Sequence, residues 1–233
     1  MATLGVAMSF TNKAAEGKLT LVFDHYVGNQ LLQFDSVNYK NGAGQSYIVT
    51  KFKYYIGNIR LKRKNAKDIS FEDYYLINEE EEESKKIMLE QIPHGEYTGI
   101  EFIIGVDSLH NCSGAQSGAL DPVNAMFWAW NSGYIFLKLE GKSSASKSPG
   151  NIFEYHIGGY KQPANCIRTI KLDFSKPLSA EKMKELHIKV DIAQMLKAKT
   201  IVDFSKLSSV TDFHNATTIA DNYAEMFSIA SVE

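Results

Sequence analysis

Three of the six histidines stand in segments whose residue types could hold a metal ion. His25 ends the segment Lys18-Leu-Thr-Leu-Val-Phe-Asp-His25, where the two-residue period of a strand puts Leu19, Leu21, Phe23 and His25 on one face. His110 follows Gly105-Val-Asp-Ser-Leu109, and His156 lies in Tyr155-His156-Ile157-Gly158-Gly159. Between the last two stands the densest aromatic stretch, Met126 to Tyr134, which holds both tryptophans, Trp128 and Trp130. Neutral imidazole suits copper, zinc, nickel and iron. A site of two or three imidazoles shielded by aromatic rings suits copper best. His25, His110 and His156 are therefore the candidate ligands, and only the fold can bring them together. The plainer role for His25 is a hydrogen-bonded histidine at the rim of the core.

The long polar loop from Asp107 to Asn124 offers a second chemistry. Asp107, Asn111 and Asp121 carry oxygen donors suited to a hard cation such as calcium, although their spacing is not that of an EF-hand. The competing use of these side chains is bonding to the loop's own backbone. The run Glu79 to Glu83 reads as a solvated acidic loop. Cys112 and Cys166 form either one bridge or two separate thiols. There is no phosphate-binding glycine loop, no dinucleotide fingerprint, no Gly-x-Ser-x-Gly elbow, no His-Glu-x-x-His and no Cys-x-x-Cys. Nothing specific argues for an enzyme.

The elements that must carry these residues are strands. Alternating segments recur from residue 18 to 192, about ten in all, with Gly, Asn and Pro turns between them. Leu186, Ile188, Val190 and Ile192 alternate strictly, with His187 pointing away from their stripe. Residues 192–199 suggest a short helix. Near the C-terminus Ile219, Tyr223, Met226 and Phe227 stand at helical spacing. The pattern predicts an all-β protein, an antiparallel β-sandwich over residues 18–233 with a short C-terminal helix. Residues 1–17 read as a disordered end or a signal remnant. Of 233 residues 44% are apolar and 22% charged, and the net charge is −2. With no basic stripe, the composition argues against nucleic acid as a partner. No apolar run reaches the ~18 residues of a membrane span.

The segments Val106-Asp-Ser108, Asn111, Ser113-Gly-Ala-Gln116, Gly118-Ala-Leu-Asp-Pro122 and Met126-Phe-Trp-Ala-Trp-Asn-Ser-Gly-Tyr134 together resemble the MbnP-like family. That family is named after the copper-binding periplasmic partner encoded with methanobactin. Leu21 to His25, Tyr54 to Ile59, Tyr155 to Gly159 and Ala220 to Phe227 extend the resemblance over about residues 18–228. Ala125 stands where the family pattern has glycine. The resemblance implies an exported β-sandwich, periplasmic or held at the cell surface as a lipoprotein, and non-catalytic. It implies copper bound by histidine together with a tryptophan oxidised to kynurenine by a dihaem enzyme of the cytochrome-c-peroxidase type. Carried onto this sequence, the residues are His156, with His25 as a second ligand and Trp128 or Trp130 as the modified ring. The alternative is a cell-surface adhesion or ligand-binding sandwich without metal, whose aromatic residues stack on sugars or proteins.

Overall fold

The computed structural model describes residues 16–128, 130, 133–213 and 215–233. The expectation for the first residues falls outside this range up to residue 15. The strands are β1 (Glu16–Val27), β2 (Gln30–Leu31), β3 (Tyr39–Lys40), β4 (Ser46–Arg63), β5 (Ile69–Asn78), β6 (Lys86–Pro93) and β7 (Glu96–Ile104). A short helix α1 (Ser108–Cys112) opens the long loop, followed by β8 (Phe127–Trp128), β9 (Gly133–Lys142), β10 (Ile152–Gly158), β11 (Arg168–Ser179) and β12 (Glu185–Asp191). The chain ends with α2 (Ile192–Met195), β13 (Ser209–Val210), α3 (Ala216–Tyr223) and β14 (Phe227–Val232).

These strands form the two-sheet sandwich that the alternation predicts. One sheet has the order β14-β12-β1-β2, with β6 also paired to β1. The larger runs β11-β7-β4-β9-β10-β13, with β3 and β5 on β4 and β8 on β9. Most pairs are antiparallel, but β1 with β12 and β10 with β13 are parallel. Parallel neighbours need long crossovers, and here more than a hundred and fifty residues separate the β1 and β12 partners. Sequence alternation carries no information on that pairing.

The interlayer core is aromatic. Phe23 of β1 meets Tyr54 and Phe102 edge-on, and Phe227 of β14 closes on the same two rings. All but Phe227, at 8%, are at most 1% exposed. Each such ring contributes about 1.5–3 kcal/mol by burial, and the edge-to-face contacts add roughly 0.5–1.5 each. The packing of the two sheets therefore outweighs any single hydrogen bond in the molecule.

Three local expectations change. Where the alternating pattern runs on through residues 31–39, the structure has two short strands, β2 and β3, around a turn in which Asp35 has a φ of 59°. The helical spacing read as far as Phe227 stops at Tyr223, and Phe227 instead opens β14 against β12. Its stripe is too short for period counting to separate from a helix end. Glu79 is not solvated: its side chain is 15% exposed and pairs with His25 and Lys85. Both cysteines are free, Cys112 exposed and Cys166 buried. No helix among the described residues is long and apolar enough to cross a membrane.

Candidate functional site

The sandwich sends the three candidate imidazoles to different places. His25 points inward from β1, 3% exposed, with its ring against Phe52 and Tyr54. Its Nδ1 is 2.6 Å from the Glu79 carboxylate and its Nε2 is 2.9 Å from the Tyr54 hydroxyl. Phe52 stands opposite Leu139, and Leu139 opposite Tyr155. Those three share the inner face with His25, so His156, next to Tyr155 along β10, lies on the outer face. There its Nε2 meets Glu140 at 2.8 Å, beside Lys138 and Lys53. One ion cannot bridge the two faces of a sheet. His110, on α1, holds Asp107 through Nδ1 at 2.9 Å and lies edge-on to Tyr74. The site assembled from His25, His110 and His156 is thus corrected: each imidazole has its own carboxylate, and the three do not fit a shared copper ion.

Asp107, Asn111 and Asp121 are likewise spent on the loop itself. Asp107 caps α1, accepting from the His110 backbone at 2.9 Å and from the Tyr74 hydroxyl at 2.8 Å. Asp121 accepts from the Val123 backbone in the following turn. Asn111 is buried; it donates to the carbonyls of Val106 and Asp107 and accepts from the Tyr134 backbone at 3.0 Å. From the sheet below, Tyr55 donates to the Ala119 carbonyl, Tyr134 to that of Leu120 and Lys138 to that of Ala125. The loop is therefore an internally bonded cover on the outer face of the large sheet, and the side chains proposed for calcium serve as its caps and braces.

Beside this cover lies a cleft of about 420 Å³. Asn111, Trp128, Gly133, Tyr134, Gly159 and Phe213 contribute to its wall. Trp128 is 6% exposed and forms the floor, while Trp130 rides on it at 5.6 Å between ring centroids and is 68% exposed. Phe213 meets Trp128 edge-on at 6.0 Å. Two glycines make this packing possible. A Cβ on Gly158 would lie 2.7 Å from the Trp128 ring and 2.5 Å from the Tyr134 carbonyl. Gly159 has a φ of +116°, and a Cβ there would lie 2.3 Å from the Ala164 carbonyl. Cys112, at the end of α1, places its sulfur 3.5 Å from the Tyr160 hydroxyl. The motif residues flanking Trp130, Ala129, Asn131 and Ser132, lie outside the described residues, as does His214.

Among the described residues one group of three metal-binding side chains has its ligand atoms within 4.8 Å of one another: Glu185, His187 and Glu233. Sequence reading set His187 aside as pointing away from the core stripe. The available signal was Glu185-x-His187 on the outer face of one strand; the third member depends on the unforeseen β14.

The chain matches the model of the family described as MbnP over residues 16–215. Its fold is similar to that of MbnP from Methylosinus trichosporium, with a TM-score of 0.54 at 11% identity, over 81% of this chain and 80% of that chain. No curated protein matches it.

Proposed function

The chain thus belongs to the MbnP family, and on that premise we propose that it is an exported, non-catalytic copper-binding protein whose working surface is the tryptophan cleft. The supporting observation is convergence. Asn111, Trp128, Gly133, Tyr134 and Gly159 come from three separate segments of sequence that carry the family motifs, and all line this one cleft. Burial in the common core would leave most of them scattered through the sandwich. Trp130 is the ring to be oxidised in this reading, because its exposure admits a partner enzyme while Trp128 is covered by Phe213 and the Gly158 backbone. The partner is a dihaem enzyme of the cytochrome-c-peroxidase type. Intact indole offers a metal only an N–H donor with no free lone pair; kynurenine supplies an aryl amine and a carbonyl oxygen. Histidine completes the ligand set, and export places the protein in the periplasm or on the cell surface.

The test pairs intact mass with copper titration, using protein from its native source. The expected result is a kynurenine-sized mass change that Trp130→Phe abolishes. Copper uptake should fall in that variant and in one or more of the alanine variants at His110, His156 and His214, and should persist in His187→Ala. Native protein with unmodified tryptophans and no copper uptake overturns the reading.

A second reading is a metal-free ligand-binding sandwich. The exposure of Trp130 favours it, since a flat indole above a cleft can stack on a sugar ring or a partner side chain. Quenching or shift of tryptophan fluorescence by oligosaccharides, lost in Trp130→Ala and indifferent to copper, would select it.

A further inference from the structure

The outer face of the five-stranded sheet carries donors unrelated to the cleft. At one end of the β12–β14 pair, Glu185 and Glu233 exchange backbone hydrogen bonds, each N–H donating to the other's carbonyl at 2.9 Å. Residues paired in this way stand directly opposite, with their side chains on one face. His187 is two residues along β12 and so shares that face, while Leu186 between them is buried in the core. The three ligand atoms lie within 4.8 Å of one another. His187 Nε2 is 3.5 Å from the Glu185 carboxylate. The other ring nitrogen, Nδ1, is 2.8 Å from Asp24 on the neighbouring β1.

This last contact sets the tautomer. A proton on Nδ1 donated to Asp24 leaves the Nε2 lone pair turned toward the two glutamates, the carboxylate–imidazole arrangement that supports metal ligation. We propose that Glu185, His187 and Glu233 bind a divalent transition-metal ion, Zn²⁺ or Cu²⁺, on the outer face of the five-stranded sheet, with Asp24 as a positioning residue. Two carboxylates match the charge of a divalent ion, and one imidazole with two oxygens is a borderline donor set that suits Zn²⁺ or Cu²⁺ better than the softer Cu⁺. Metal–ligand bonds of ~2.0–2.2 Å in a tetrahedron need donors about 3.3–3.6 Å apart. The present spread closes to that by rotation of the glutamates, since Glu233 is exposed and the Glu185 side chain is 47% exposed. The ion would clip β14 to β12. This site stands independently of copper at the cleft.

Calorimetric titration of the full chain with Zn²⁺ tests it. The expected result is one ion per chain, with affinity at least ten-fold lower in His187→Ala and in Glu233→Gln, the latter leaving the Asp24 contact untouched. Asp24→Asn, which touches no ion, should weaken binding by roughly 10–100-fold. Zn²⁺ should raise the melting temperature of the wild type and not that of His187→Ala. Spectra of the Cu²⁺ form should show nitrogen coupling from one imidazole that the same variant loses. Equal Zn²⁺ binding by wild type and by both His187→Ala and Glu233→Gln overturns the proposal. So does the absence of binding at millimolar Zn²⁺.

Discussion

His25 and Glu79 meet at 2.6 Å between the two sheets, joining β1 of one to the end of β5 in the other. The Glu79 backbone N–H donates to the Phe52 carbonyl, which fixes the carboxylate at the mouth of the aromatic core. Lys85 reaches the same carboxylate at 3.3 Å from outside. Burial lowers the His25 pKa from 6.5 and outweighs the opposing effect of Glu79, so the ring is neutral and donates through Nδ1. Burial alone would raise Glu79, but the hydrogen bond from His25 and the charge of Lys85 together hold it below 4.5.

Both shifts have the same consequence in acid. A histidine whose folded pKa lies below its unfolded value binds more protons when unfolded, so stability is intact above about pH 6.5 and declines as pH falls through that window. Glu79, also lowered, adds to the loss below about 4.5. Lys85 and the Tyr54 hydroxyl are the other titratable groups facing the ring, and Asp24, on the opposite face of β1, adds a smaller opposing charge effect. The melting temperature should therefore fall from pH 7 to pH 5. His25→Gln should be less stable at pH 7 but show a flatter decline. Parallel curves for the two proteins would refute the assignment.

How far the sequence reads through to this arrangement depends on the length of each pattern. The sandwich follows from alternation, because Leu186, Ile188 and Val190 must face a core whatever their neighbours are. His25 was legible as the end of such a stripe, and its placement at the core rim is the plainer of its two readings. The shared imidazole site failed because alternation assigns a face within one strand but not the order of strands. Only the register Phe52–Leu139–Tyr155 shows His25 and His156 on opposite sides. The tryptophan cleft was legible as a dense motif, not as a cavity, since its shape depends on backbone approach at Gly158 and on Phe213 arriving from some eighty residues away.

The covering loop should behave as a braced structure, indifferent to calcium. Asn111→Ala removes hydrogen bonds to three backbone groups at a site 3% exposed. Unsatisfied buried groups cost about 1–3 kcal/mol each, so a loss of roughly 2 kcal/mol or more in urea unfolding is expected. Asp121→Ala, which removes one turn cap, should cost only about 1 kcal/mol. Millimolar calcium should leave the melting temperature unchanged. A rise abolished by Asp121→Ala would restore the cation reading.

Gly158 should tolerate no side chain. In Gly158→Ala the new methyl must displace either the Trp128 ring or the Tyr134 carbonyl, and the carbonyl belongs to a paired strand. Overpacking of this kind costs about 1–3 kcal/mol. The ring should yield first, so the variant should show increased acrylamide quenching of Trp128, measured in a Trp130→Phe background. Unchanged quenching and unchanged stability would mean that the floor of the cleft is looser than the structure describes.

Ala125 carries strain that one substitution should release. It ends the turn after Pro122 with φ 56° and ψ 33°, the left-handed region. An L-residue with a Cβ pays about 1–2 kcal/mol there, whereas glycine does not. Glycine in turn costs about 0.5–1 kcal/mol through the freedom it gains in the unfolded chain. The difference predicts that Ala125→Gly stabilises the protein by roughly 0.5–1 kcal/mol, or a few degrees in melting temperature for a chain of this size. The backbone should not move, because the Ala125 carbonyl is held by Lys138 at 2.6 Å and its N–H by Pro122 at 3.0 Å. If Ala125→Gly instead lowers the melting temperature, the methyl group must contribute packing that outweighs its strained backbone.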